Sequence, residues 1–173
     1  MTKMKRYGLV FILGLMLLAS CGIHIQHAPS QLVVDSAKIP PFRVVGPVKL
    51  VNAQTLSQDV VIPLYFTHDV SANYKQYTDA AINSLKLELE KKGAMISGID
   101  GKTLKLAIAD IKVLDRPQYL CLINYTVETG DGYLRGYRVQ DTDRDFRAAI
   151  DSALAKVVAG VLQDEQVLNY LEK

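Results

Sequence analysis

Side chains suited to chemistry are few in this 173-residue chain. The histidines are His24, His27 and His68. His24-x-x-His27 could touch a metal ion only with further ligands, and no Cys or carboxylate follows before Asp35, so both read as solvated residues rather than a metal centre. His68-Asp69 has the composition of an acid–base pair, because a carboxylate orients an imidazole; beside a helix start the same residues serve as turn and cap, and that reading is preferred. The sequence has no nucleophile elbow, phosphate-binding loop, dinucleotide fingerprint or HExxH. Gly130-Asp-Gly132 is too short for a calcium loop and suits a turn. No enzymatic activity, metal or other cofactor is expected.

The thiols are Cys21 and Cys121. Cys121 lies in Tyr119-Leu-Cys-Leu-Ile123, an apolar strand pattern, and is expected to behave as a small buried hydrophobe. The chain has nine Tyr and no Trp. Tyr119, Tyr125, Tyr133 and Tyr137 gather near Arg116, Arg135 and Arg138, the composition of a contact patch for a protein partner or a planar or glycan ligand. The competing reading turns half of these rings into the core and leaves the arginines as solvated strand-edge residues.

Cys21 gains meaning from what precedes it. Lys3, Lys5 and Arg6 come before the apolar run Gly8 to Leu18, which closes on Leu18-Ala-Ser-Cys21. A run of about 11 residues is too short for a hydrocarbon core that needs roughly 20, so this reads as a secretory signal. Leu-Ala-Ser-Cys resembles the lipobox of bacterial lipoproteins, which implies acylation of the Cys21 thiol with a diacylglycerol, cleavage before it, and acylation of the new amine. Residues 1–20 are then a signal peptide and Cys21 a lipid anchor; three acyl chains exceed what stable anchoring requires. Gly22 follows, where an Asp is the usual inner-membrane retention mark, so the resemblance implies the outer membrane, with the domain facing the periplasm. Cys121 would be left without an intramolecular partner.

With the signal removed the charge changes. Three of the 20 Lys and Arg lie in residues 1–20, leaving 17 against 18 Asp and Glu. A near-neutral chain lacks the basic face that nucleic-acid binders carry, so no such partner is expected. Residues 21–43, with Pro29, Pro40 and Pro41 and little periodicity, read as a flexible tether along which Leu32-Val-Val34 could dock. Residues 44–173 form one domain, with no repeat or low-complexity tract.

Within that domain, Val44 to Val51 and Asp59 to Phe66 read as strands that Pro47 and Pro63 confine to an edge or a strand start. From Ser71 the period becomes helical, with Tyr74, Tyr77, Ala81, Leu85 and Leu89 on one face, Ser71 or Asn73 as N-cap and Gly93 as stop. Ala94 to Ser97 is a short strand. Lys102 to Val113 is apolar on both sides, which marks a central strand or a bulge near Asp110. Tyr119 to Glu128 and Tyr133 to Gln140 flank Thr129-Gly-Asp-Gly132 as a hairpin, with Tyr119, Cys121, Ile123, Tyr125 and Val127 inward. Asp141-Thr-Asp143 is expected to cap a second helix whose stripe runs Phe146, Ala149, Ile150, Ala153, Leu154, Val157, Val158, Val161, and a short helix follows Gln163-Asp164. The expected class is α+β: a mainly antiparallel sheet, two main helices packed on one face, and a short C-terminal helix.

This order of elements resembles the YajG-like family of bacterial lipoproteins. The resemblance is carried by the lipobox at Cys21, by Pro47-Val-Lys-Leu-Val-Asn52, by Leu85-Lys-Leu-Glu-Leu-Glu-Lys-Lys-Gly93, and by the tail from Ala148-Ala-Ile-Asp-Ser-Ala-Leu154 through Gln163-Asp164 to Val167-Leu-Asn-Tyr-Leu171. It covers most of residues 44–172, with a shorter stretch here between the first strand and the helix. The family assigns no residues to chemistry. It implies a non-enzymatic lipid-anchored lipoprotein, an outer-membrane accessory or partner-binding subunit of an envelope assembly or transport process; the alternative is a periplasmic module that binds a small molecule, glycan or lipid between sheet and helices.

Overall fold

The computed structural model describes residues 23–64, 68–115 and 117–173, without the side chains of Ile23, His24, Pro63, His68 and Asp115. Cys21 and Arg116 therefore lie outside the described residues. The chain runs β1 (Ile23–His27), a 3-10 turn (Ser36–Lys38), β2 (Pro47–Asn52), β3 (Asp59–Leu64), β4 (His68–Asn73), α1 (Tyr74–Lys91), β5 (Met95–Ile96), β6 (Lys102–Asp115), β7 (Tyr119–Thr129), β8 (Leu134–Asp143), α2 (Phe146–Val161) and α3 (Glu165–Glu172). Two sheets result, one in the order β1-β4-β3 and one in the order β5-β2-β6-β7-β8.

The α+β class stands, and the sheets are mixed rather than mainly antiparallel. β2 runs parallel to both β5 and β6, and β1 runs parallel to β4. For β2 the physical reason is α1: a helix between β2 and β6 makes a crossover, and a crossover returns the chain parallel to the strand it left. Antiparallel pairing is confined to β3/β4, β6/β7 and β7/β8. Pro47 opens β2 and Pro63 sits on the edge strand β3, positions where a missing N–H costs no ladder bond.

Of residues 21–43, expected as a flexible tether, the described part from Ile23 is docked on the domain. Ile23 to His27 pair with His68 to Ala72, and the side chains of His27, Leu32, Ile39 and Val44 are buried. Val33, between two docked residues, is exposed. The alternation of Ile23, Ile25 and His27 is a half-buried strand pattern. A second correction concerns His68-Asp69, which lies within β4 and not in a turn.

The helices follow from their caps and stripes. Asn73 caps α1 by accepting the Gln76 N–H at 3.1 Å, and Gly93, at φ +85°, takes the left-handed position that ends it. The cap of α2 is Asp145, whose carboxylate accepts the Arg147 N–H at 2.7 Å; Asp143 lies two residues earlier, at the end of β8. Ala149, Ile150, Ala153, Leu154, Val157, Val158 and Val161 are buried against β7 and β8, and α3 closes the layer with Val167 and Leu171.

The longest strand changes face midway. In β6 Leu104, Leu106 and Ile108 are buried, the register slips between Ile108 and Asp110, and from there Ile111 and Val113 are buried. Ala109 is the extra residue of a β-bulge. Helix α1 completes the distorted backbone: the Thr78 hydroxyl accepts the Ile108 N–H at 3.1 Å and donates to the Tyr74 carbonyl at 2.8 Å, while the Tyr74 hydroxyl accepts the Ile111 N–H at 3.3 Å. Thr78→Val keeps the shape and orphans a buried N–H, so it is expected to cost about 1–3 kcal/mol in urea unfolding. Thr78→Ser, which keeps the oxygen, is expected to cost clearly less; equal midpoints for Thr78→Val and the parent would refute this role.

Candidate functional site

Three places merit inspection: the buried end of β1, the Tyr/Arg hairpin, and a groove beside the bulge. At the first, His27 is 5% exposed and lies edge-on to Tyr77 and Phe146. Its Nδ1 is 2.5 Å from the Tyr77 hydroxyl and its Nε2 is 3.7 Å from Oδ1 of Asp151, whose Oδ2 accepts from Ser30 at 2.5 Å. The Tyr77 hydroxyl also lies 3.3 Å from the His27 carbonyl oxygen. The cluster thus fastens β1 and the segment after it to both long helices.

Its order excludes a nucleophilic triad. The Ser30 hydroxyl bonds to the carboxylate and not to the imidazole, so His27 is not placed to take its proton. Burial lowers the His27 pKa from 6.5; Asp151 opposes this, Arg147 adds to it, and Asp145 opposes it. Burial pushes the Tyr77 phenol well above its ordinary range, so it remains a neutral donor. Nothing in the sequence joins these residues, since 50 positions separate His27 from Tyr77 and 121 separate Ser30 from Asp151. Only the β-like alternation ending in His27 hinted at an inward imidazole.

The sign of the pH effect follows. A His that binds its proton less readily when folded stabilises the docked strand fully above pH 6.5 and progressively less as the pH falls below it. Amide exchange by mass spectrometry, corrected for intrinsic rates, is expected to show residues 23–27 losing protection between pH 7.5 and pH 5 while β7 keeps its own. His27→Gln is expected to flatten this dependence. Unchanged protection of residues 23–27 would show that His27 does not govern the docking.

The hairpin forms as expected. The Thr129 N–H donates to the Tyr133 carbonyl at 2.9 Å, and Gly132 takes φ +94° in the turn. Alternation puts Cys121, Ile123, Tyr125 and Val127 under the helices. Tyr125 is 2% exposed, stacks on Tyr137 with centroids 5.4 Å apart, and lies where a Cβ on Gly160 of α2 would collide with its hydroxyl. Tyr119 is half-buried, edge-on to Phe146. The Tyr133 hydroxyl donates to Asp164 at 2.8 Å and meets the Tyr137 hydroxyl at 3.0 Å. The expected patch therefore divides: Tyr119, Tyr125, Tyr133 and Tyr137 pack toward the helices, and Arg135 and Arg138 remain exposed. Arg135 covers the Tyr137 ring at 5.3 Å, while Arg138, on the opposite face, donates to Asn124 at 2.8 Å.

Cys121 is buried and free, and desolvation pushes its thiol up to about 12. It behaves as core, and maleimide labelling of folded protein is expected to leave it unmodified until denaturant is added. Appreciable labelling of the native state at Cys121 would overturn this.

Where β6 leaves β2 behind after the bulge, its free edge faces β3 across an open groove of about 400 Å³. Val60, Ile62, Leu64, Tyr74, Ile111 and Val113 line it, with Asp110 and Lys112 also lining it. Sequence reading found the bulge and missed the groove, because the groove depends on how the two sheets meet. On the far side of the five-stranded sheet no helix packs among the described residues: Lys105, Ala107, Leu122, Asn124 and Thr126 alternate with the core positions and are half-exposed. Among the described residues no group of three or more His, Cys, Asp or Glu could hold a metal ion, and no helix is long and apolar enough to cross a membrane.

No family model matches the chain, and no curated protein matches it in sequence. Among solved structures, protein XCC0632 from Xanthomonas campestris, of the DUF330 family, superposes with a TM-score of 0.57 at 14% identity, covering 84% of this chain and 95% of that one. The two chains share a fold. A protein described as uncharacterized reaches 0.39 at 11% identity over 81% and 94% of the two chains, and PelC from Paraburkholderia phytofirmans, a dodecamer, reaches 0.35 at 13% over 77% and 91%. The YajG-like resemblance rests on the sequence positions that carry it.

Proposed function

We propose that the chain is a non-enzymatic, lipid-anchored envelope protein that binds a protein partner, an accessory subunit of an assembly or transport process at the outer membrane. The leader ending at Leu18-Ala-Ser-Cys21 supports the anchoring, and Gly22 supports the outer-membrane address. The observation that carries partner binding is the face of the five-stranded sheet that no helix covers among the described residues. Its side chains mix Lys, Asn, Thr and Arg with Ala and Leu, and a depression on it, over Ala109, Asn124, Thr126, Gly136 and Arg138, is shallow. Such a face suits another protein surface better than an enclosed small molecule.

The groove between β3 and β6 favours a second reading. Its apolar walls suit a lipid tail or similar apolar ligand, as in a periplasmic binding module. Photo-crosslinking in intact cells separates the two. A crosslinker at Thr126, on the bare face, is expected to form a discrete protein adduct that one at Lys86, on the exposed side of α1, does not form. Cys21→Ser is expected to lose acyl label and leave the membrane fraction. If neither position yields an adduct and lipid is retained through purification by the parent but not by Ile62→Trp, the second reading replaces the first.

A further inference from the structure

β8 is the outer strand of the five-stranded sheet, and its ten residues, Leu134 to Asp143, have no strand on their outer side among the described residues. The turn fixes which of its polar groups point outward. The Thr129 N–H donates to the Tyr133 carbonyl, so the odd residues of β8 exchange backbone bonds with β7, and Leu134, Gly136, Arg138, Gln140 and Thr142 aim N–H and C=O at the open side. The Gln140 carbonyl accepts Lys156 at 2.8 Å, which confirms the outward direction. A C=O has two lone pairs, so this contact leaves room for a second donor.

The charges on this edge are segregated. Arg135 and Arg138 occupy its first half, Asp141 and Asp143 its second. Antiparallel pairing of such a strand with itself sets opposite charges against each other, and parallel pairing sets like against like. The direction of the outward groups also requires even residues to pair with even ones, which keeps both helix layers on the same face.

We infer that β8 is an isologous interface through which two copies of this chain join edge to edge, antiparallel, about a dyad at Val139. In this register Val139 faces Val139, Tyr137 faces Asp141 and Arg135 faces Asp143 on the helix side. On the bare side Arg138 faces Gln140 and Gly136 faces Thr142. Every charged residue of the edge meets an opposite charge or a neutral hydrogen-bonding group. Moving the dyad back to Arg138 sets two guanidiniums opposite each other, and moving it on to Gln140 sets Val139 against Asp141; both cost stability. Lys156, near the dyad, is already paired with Asp141 at 3.1 Å and adds no net repulsion. The charges that guard this edge against indiscriminate pairing therefore permit one partner.

Cross-strand cysteines read the register directly. At a non-hydrogen-bonded antiparallel pair the Cα atoms are about 4.5 Å apart, within disulfide reach. The full chain carrying Val139→Cys, oxidised in its native membrane fraction and run without reductant, is expected to give several-fold more dimer than the parent, which controls for Cys21 and Cys121. Thr142→Cys, which faces Gly136, is expected not to link. Adding Arg135→Asp to Val139→Cys is expected to abolish the dimer, and adding Asp143→Arg as well to restore it, with circular dichroism confirming folding throughout. A Val139→Cys dimer no stronger than the parent's, equal linking at Thr142→Cys, or failure of the charge exchange to restore linking overturns the interface.

Discussion

The inserted residue in β6 governs the arrangement of everything around it. A strand repeats its faces every two residues, so a single extra position turns every later side chain over. Were the strand to run on regularly through Ala109 with no bulge, Ile111 and Val113 would point away from the helices, and Asp110 and Lys112 would point at Tyr74. With it, β6 serves two neighbourhoods, pairing with β2 before the bulge and facing β3 after it. The distortion is held by hydroxyls from Thr78 and Tyr74, which take the backbone donors that the ladder cannot. Helix α1 is thus a structural partner of that one strand as well as a lid on the sheet.

Local signals carried the elements that their own residues specify. The hairpin was legible from Thr129-Gly-Asp-Gly132 between alternating arms, α2 from an unbroken apolar stripe, and the bulge from apolar residues on both sides of Lys102 to Val113. What escaped was set by distant contacts. Parallel pairing of β2 with β6 depends on a helix crossing between them, and β1 is too short and too near three prolines to announce itself. His68-Asp69 read as a turn because the strand β4 runs into α1 without a loop.

The candidate site divides along the same line. Which face each hairpin residue takes was readable for the first arm, and the register then carries Tyr133 and Tyr137 under the helices with it. Composition alone had suggested a Tyr/Arg surface, and it could not show that Tyr125 and Tyr137 stack on each other or that Asp164 waits for the Tyr133 hydroxyl. The His27 cluster draws on β1, the segment after it and both long helices, and leaves no sequence spacing at all. Its chemistry is that of a fastening: a neutral imidazole, a neutral phenol and one carboxylate with an oxygen left unbonded.

The parallel docking of β1 has a mechanical consequence. Its five residues lie alongside five of β4 in the same direction, and its last residue is gripped by Tyr77 and Asp151. Tension applied to the chain ahead of Ile23, directed along the strand, would shear all these contacts together instead of opening them one by one. A load on the N-terminal side is thereby shared across the small sheet and both long helices, and the segment acts as a handle rather than a thread.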